Sequence, residues 1–345
     1  MTSQTRKTGN PTVQDVAREA NVSTATVSRA LSAPDRVSEK TRERVAKAVE
    51  KTGYVLNHAA RNLRRRDTGT IVALVPDIGN SHFSNVLQGI ETVCAARNLK
   101  VLIADTRKPA ISQSTLNDYF SRANCDGIIT LDGHFSIAKV REKNPDLPFV
   151  VTAGEWCDDP NVPTALINNL MGAQLAMTHL LELGHTNIGH ITGSLDHRPG
   201  ADRLEGFTKS LSDAGIDPTK AWITKGDYSY QCGVEAAKQF LALKNRPTAV
   251  FVASDRTAIA FMSELNKAGV SVPDDVSIVG FDDLDITEFY IPPLTTVHQP
   301  RRKVGEQAAK LMLKLLESGK PDLSRAQIEP WLVVRASTAP IKSED

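Results

Sequence analysis

Apolar residues recur at helical spacing through the first sixth of the chain, and the pattern predicts three helices over residues 13–20, 23–31 and 38–52. The breaks fall at Asn21-Val22 and at Ala33-Pro34-Asp35, and no strand pattern interrupts them. From Thr70 the period changes. Short runs rich in β-branched residues (70–76, 99–105, 126–131 and 148–152) alternate with amphipathic segments such as 83–97. The alternation resumes after Asn168, with strands expected at 187–192, 248–253 and 276–281 and helices at 201–214, 229–243 and 255–268. This order implies βαβ units, hence parallel sheets with helices on both faces, and two α/β lobes fit it better than one long sheet.

Length agrees with that division: 345 residues exceed the roughly 250–300 at which a single core stops growing. Net charge is +1, but the total hides an asymmetry. The first 66 residues carry 14 Lys+Arg against 6 Asp+Glu, and the remainder 27 against 34. A segment at +8 joined to a body at −7 points to a polyanionic partner for the N-terminal part alone. Cys94, Cys125, Cys157 and Cys232 are widely spaced, with no C-x-x-C pair and no clustered His to complete a metal site. The start, MTSQTRKTGNPT, lacks the apolar core of a signal peptide, and no run approaches the ~18 apolar residues of a membrane helix. The expectation is a reduced, cytoplasmic protein without membrane contact, and Asn21-Val22-Ser23 is then a chance glycosylation sequon.

Within Thr12 to Leu31, Ala17, Val22, Val27 and Ala30 fall where two helices crossing over a tight turn must touch. Asn21 occupies the turn, where positive φ is needed, and Ser23 can cap the second helix. Thr24, Ala25, Thr26, Ser28 and Arg29 then point outward: short side chains able to approach base edges, and one guanidinium suited to guanine. A helical hairpin with a merely polar face would show the same spacing, but not the +8 charge.

The run T-V-Q-D-V-A-R-E-A-N-V-S-T-A-T-V-S-R-A-L (12–31), with V-S-E-K-T-R-E-R-V (37–45) and G-Y-V-L-N-H-A-A-R-N-L (53–63), strongly resembles the lactose-repressor and purine-repressor family. The likeness continues through L-V-P-D-I-G-N (74–80), S-I-V-G-F-D-D (277–283) and P-P-L-T-T-V-H-Q-P (292–300), covering nearly the whole chain. It implies an all-α helix-turn-helix headpiece plus an α/β periplasmic-binding-protein-like effector domain with two parallel-sheet lobes. The expected division is a headpiece at 1–55, a hinge at 56–68 and an effector-binding and dimerisation domain at 69–340. The lobes are expected at about 69–167 with 300–326, and about 168–299 with 327–340. By motif, Thr24, Ala25 and Arg29 match base-reading positions. Asn57 to Arg64 match a hinge helix that folds only on operator DNA, in keeping with a segment too short to be helical alone. Leu63 matches a residue wedged into the minor groove, with Arg64 beside it. Leu56 stands where the family usually has Pro, which would pre-set the helix start.

Ligands of parallel α/β sheets bind beyond the carboxyl ends of strands, which makes His82-Phe83 and Asp282 candidates on topology alone. By resemblance, Phe83 lies against the effector, Arg203 in G-A-D-R-L-E-G-F contacts it, Asp282 accepts from its hydroxyl or amine groups, and Tyr228 in K-G-D-Y faces it from the other lobe. Plain packing for the two aromatics and helix capping for Asp282 and Asp255 are the structural alternatives. Asn168, in place of the family's usual Asp, removes a charge near the cleft. The G-D-Y-S-Y and P-P-L-T-T-V-H-Q-P stretches are similar to those of nucleoside-responsive members, which implies a nucleoside effector, with a pentose or hexose as the alternative.

The resemblance implies a homodimer on a pseudo-palindromic operator in double-stranded DNA, acting as a repressor whose effector either releases or strengthens binding. No catalytic residue and no cofactor is expected. G-x-G-x-x-G after the first strand, G-x-x-x-x-G-K-[ST], G-x-S-x-G and H-E-x-x-H are all missing, so neither a phosphate cradle nor an activated nucleophile is visible. A secreted sugar-binding protein would share the body but not the headpiece.

Overall fold

The computed structural model describes residues 11–32, 34–54, 68–106, 122, 124–157, 159, 161–320 and 325–341. The chain divides into two compact units, Met1–Arg65 and Arg66–Asp345.

Among its described residues the first unit has three α-helices, α1 (Val13–Ala20), α2 (Thr24–Ser32) and α3 (Glu39–Thr52), with a 3-10 turn at Pro34–Arg36. At the start of α1 the Thr12 amide donates to the Asp15 carboxylate at 2.9 Å. α1 stops at Asn21, left-handed at φ 49° and ψ 53°, from which the Val22 amide returns to the Ala17 carbonyl at 3.0 Å. The Ser23 hydroxyl accepts from the Thr26 amide at 3.1 Å, which caps α2. Val16, Ala17, Ala20, Val27, Ala30, Val45 and Ala48 form the buried core, with Val22 packed at its edge. Arg44 on α3 donates to the Ala20 and Asn21 carbonyls at 2.6 and 2.9 Å, a cation at the negative end of α1.

The second unit begins with β1 (Thr70–Val75), α4 (His82–Ala95), β2 (Lys100–Asp105), β3 (Gly127–Thr130), α5 (Ile137–Lys143), β4 (Phe149–Ala153) and β5 (Thr164–Ile167). It continues with α6 (Asn169–Glu182), β6 (Ile188–Ile191), α7 (Arg198–Asp213), β7 (Ile223–Thr224), α8 (Tyr230–Ala242), β8 (Ala249–Val252), α9 (Asp255–Lys267), β9 (Ser277–Asp282), α10 (Ile286–Phe289) and β10 (Thr295–His298). α11 (Arg301–Ser318), β11 (Arg325–Ile328) and β12 (Trp331–Val333) close the order. Among the described residues two six-stranded sheets result, ordered β11-β5-β4-β3-β1-β2 and β12-β10-β9-β8-β6-β7. Pairing is parallel throughout except between β10 and β12, where the last strand returns antiparallel along the edge.

The chain passes between lobes after β5, after β10, and between β11 and β12. The last crossing corrects the boundary expected between 326 and 327. Gln327 and Ile328 pair in register with Leu166 and Ile167, so the N-terminal lobe keeps the chain through Ile328. In that lobe α4 and α11 cross backbone to backbone. A Cβ on Gly89 would lie 2.1 Å from the Arg302 carbonyl oxygen, and one on Gly305 2.0 Å from that of Val86, so only glycine fits at both. Ile71, Ile90, Ile129 and Met312 fill this side of the sheet, while Val72, Leu74, Ile128 and Ile137 fill the other. Strands covered on both faces read as apolar runs rather than alternations, which is why β1 is buried at every position.

The C-terminal lobe encloses a histidine. His190 on β6 lies between the rings of Phe207 and Phe251, with centroids 4.9 and 4.8 Å away, and its Nδ1–H donates to the Phe251 carbonyl at 2.8 Å. Burial drives its pKa down to about 4, against 6.5 for an ordinary imidazole, and the Arg203 charge adds to the shift. Between those values the unfolded chain binds a proton that the folded chain refuses, so stability falls as pH drops from 6.5 toward 4. His190→Gln keeps a donor but does not titrate. Urea unfolding across that range is expected to show the wild type losing about 3 kcal/mol more than the variant. Equal pH slopes would exclude the effect.

Candidate DNA-reading helix and effector cleft

On α2 the residues facing away from the core are Thr24, Ala25, Ser28 and Arg29, all exposed, while Val27 and Ala30 are buried on the opposite side. Thr26 is only half-exposed. Its hydroxyl lies 2.9 Å from that of Ser23 and its amide is the one Ser23 caps, so its first duty is to fix the start of the helix. Four short or forked side chains thus stand along one face of a helix whose entry angle is fixed by the Asn21 turn. Leu56, Asn57, Leu63 and Arg64 lie outside the described residues.

In the second unit four of the five expected cleft residues converge. His82 opens α4 beyond the carboxyl end of β1, Asp282 ends β9, Arg203 projects from α7, and Tyr228 precedes α8. His82 Nδ1 lies 3.5 Å, and an Arg203 terminal nitrogen 3.9 Å, from the same Asp282 oxygen. The Arg203 guanidinium sits 3.7 Å over the Phe281 ring and 5.7 Å from that of Tyr228. Its Nε–H donates to the Asn169 side-chain oxygen at 2.9 Å, and a terminal N–H to the Ala253 carbonyl. Arg203 is therefore clamped in one orientation before any ligand arrives. Phe83 is half-buried against the core of its own lobe and meets His82 edge to face at 5.2 Å, a packing role that leaves only part of the ring for a ligand.

Burial alone would push the Asp282 carboxyl up, but His82 foremost, then Arg203 and Arg301, hold it below the usual carboxylate range. Neighbouring Asp255 goes the other way. It is fully buried, and desolvation followed by the Asp282 charge raises it well above an ordinary carboxyl. Asp255 accepts from the Leu284 amide at 2.9 Å and the Thr296 hydroxyl at 2.6 Å, tying together the loop after β9. It is thus a tether, whereas Ser254 caps α9. Asp282 does not cap the Leu284 segment; its carboxylate accepts from the Gln299 amide at 2.5 Å.

The backbone carries strain at the same place. Tyr228, Asp282 and Asp283 have φ of 67°, 124° and 54°, conformations that non-glycine residues hold only where their surroundings impose them. The Tyr228 ring occupies the space where a Cβ on Gly193 would sit 2.1 Å away. Its hydroxyl is buried without a hydrogen-bond partner among the described residues, and burial pushes its pKa up to about 12.

Sequence reasoning missed several members of this network. Asn169, Gln299 and Arg301 follow strand ends, as the topological rule requires; Asn169 and Arg301 lie outside the quoted motifs, and Gln299 lies within P-P-L-T-T-V-H-Q-P but was given no role. Across the cleft mouth His134 and His197, from opposite lobes, bring their Nε2 atoms within 2.7 Å, with the Glu155 carboxylate 3.6 Å from His197 Nδ1. Arg256 reaches Asp77 at 3.7 Å. Asn168 serves as the cap of α6, accepting from the Met171 amide at 3.1 Å.

Comparison with known proteins accounts for both units. Residues 12–57 match bacterial regulatory proteins of the lacI family, and residues 177–338 match the periplasmic binding protein-like domain. The HTH-type transcriptional repressor CytR of Escherichia coli strain K12 is 38% identical over 327 residues, 95% of this chain and 96% of that protein. The HTH-type transcriptional repressor PurR of Photobacterium profundum is 32% identical over 329 residues, 94% of this chain and 98% of that protein. Among solved structures, the lac repressor dimer bound to operator and the anti-inducer ONPF superposes with a TM-score of 0.83 at 27% identity, covering 96% of this chain and all of that one. No helix among the described residues is long and apolar enough to cross a membrane. The chain belongs to the lacI family of bacterial regulatory proteins.

Proposed function

We propose that this regulator is a cytoplasmic repressor whose dimer reads a pseudo-palindromic operator through α2 and whose cleft takes a nucleoside. The observation that carries the reading is the buried Arg203–Asp282 pair, set between the rings of Phe281 and Tyr228 at the ends of parallel strands. A guanidinium donates to base carbonyls, a carboxylate accepts from ribose hydroxyls or an exocyclic amine, and the half-buried Tyr228 ring suits a planar ring. Sequence similarity to nucleoside-responsive members supports the same ligand class. The headpiece supplies the DNA half. Thr24, Ala25, Ser28 and Arg29 stand exposed on α2 of a segment carrying +8, the charge needed to approach phosphates.

The DNA role of Arg29 has a direct test. A guanidinium that reads a guanine edge contributes roughly 1–3 kcal/mol and a dimer loses two such contacts, so Arg29→Ala is expected to weaken operator binding by about thirtyfold or more. Random DNA should lose much less. Gel shifts of the full chain on both duplexes over a salt series measure this. Equal losses on operator and random DNA would make Arg29 a phosphate contact and overturn its base-reading role.

A further inference from the structure

A second cavity, of about 330 Å³, lies beside two of the three crossings between the lobes. Its wall comes from both lobes: Trp156 beyond β4 and Arg325 on β11 on one side, Asn168 before α6 and Arg198, Asp202 and Glu205 on α7 on the other. None of His82, Phe83, Arg203, Tyr228 or Asp282 lines it. On α7 the separation has a geometric cause. Arg198, Asp202 and Glu205 follow one another at helical spacing along one face, whereas Arg203 projects from the adjacent buried face.

Three features say what would fit. Trp156 lines the cavity and is 38% exposed; the Arg325 guanidinium covers one face of its ring at 4.1 Å, and the remaining exposed surface is offered to a flat or saturated ring at the edge of the cavity. Arg198 Nε pairs with one oxygen of Asp202 at 2.6 Å, across successive turns of α7. Burial raises the Asp202 carboxyl despite the opposing Arg198 charge. A paired carboxylate still has lone pairs on its second oxygen, which a donor delivered by a bound molecule can use. Finally, two guanidinium groups face two carboxylates, so the lining is neutral in sum and favours an uncharged ligand over an anion or a polyamine.

We propose that this cavity is an accessory binding site for a neutral, hydroxyl-bearing sugar ring. A ring hydroxyl donates to the free oxygen of the Asp202 carboxylate, the guanidinium groups bind neighbouring hydroxyls, and the C–H face of the ring lies on the exposed part of Trp156. The same ring chemistry is offered by a free monosaccharide and by the ribose of a nucleoside. A molecule held here touches both lobes next to the strands that join them. It therefore binds open and closed arrangements unequally and is coupled to whatever occupies the central cleft.

Isothermal titration calorimetry of the full-length protein, titrated separately with D-ribose, D-glucose and cytidine, tests the proposal. The variants are Trp156→Leu, Trp156→Phe, Asp202→Asn and the central-cleft variant Asp282→Asn, each first checked for a cooperative melt. At least one probe is expected to saturate wild type and Asp282→Asn alike. Trp156→Leu and Asp202→Asn should each bind it about tenfold or more weakly, and Trp156→Phe, which keeps a ring face, nearly as well as wild type. Ribose and glucose acting without cytidine would assign the site to free sugars, and cytidine acting best would assign it to nucleosides. No saturable signal outside the central cleft from any probe, or binding that Asp282→Asn abolishes and Trp156→Leu spares, would overturn the accessory site. That result would leave the reading of the central cleft untouched.

Discussion

Arg203→Ala should give a repressor whose operator binding no longer changes with its effector. Arg203 is the residue on which the cleft converges: it faces Asp282, is held by Asn169 and Ala253, and lies flat on Phe281. Removing one member of a buried, hydrogen-bonded charge pair costs roughly 2–5 kcal/mol in affinity, so nucleoside binding is expected to weaken by about a hundredfold or more. Calorimetry of the full chain with cytidine measures it directly. Stability should fall as well, because Asp282 keeps its negative charge in a buried place with one compensating cation fewer. The double variant Arg203→Ala, Asp282→Asn separates the two effects. Neutralising the carboxyl should restore part of the melting temperature while binding stays lost. Recovery of both together would mean that Arg203 serves the fold alone and that the effector lies elsewhere.

The parts of this molecule legible in the sequence are those set by local chemistry. Asn21 announced its left-handed turn and Ser23 its cap, since each needs only its own side chain and the next few amides. The apolar runs of β1, β3 and β8 announced a sheet buried on both faces. What escaped were elements whose identity is decided by distant neighbours. α6 was not foreseen because apolar residues occur on every side of it: Gly172, Ala173, Ala176, Met177 and Leu180 are buried while Leu170, Met171 and Leu175 are half-buried, so no single apolar stripe stands out. The short strands β10, β11 and β12 exist because longer partners already offer an edge. In the cleft, motif matching located Arg203 and Asp282, but the clamp around them joins residues up to 50 positions apart. Such pairings follow from where the chain crosses between lobes, and the one crossing misplaced in the sequence lies in β11.

The second large effect concerns assembly. Phe289 and Ile291, at and just beyond the end of α10, are 75% and 88% exposed, with Ile286 and Tyr230 also outward on the same lobe. In the other lobe the edge strand β2 leaves Leu102 and Ile103 half-exposed along a row of backbone groups paired on one side only. Large apolar side chains grouped on a surface mark a contact, and for a homodimer of this family the partner is a second copy. The double change Phe289→Asp, Ile291→Asp buries two carboxylates per protomer in that contact and should yield a monomer by analytical ultracentrifugation. A monomer engages one half-site at a time and forfeits the avidity of the pair, so operator affinity should fall on the order of 10³-fold. Effector binding should survive, because His82, Arg203, Tyr228 and Asp282 all come from one chain and need no partner to converge. A variant that stays dimeric would move the interface off this face. A monomer that keeps full operator affinity would remove dimerisation from the mechanism.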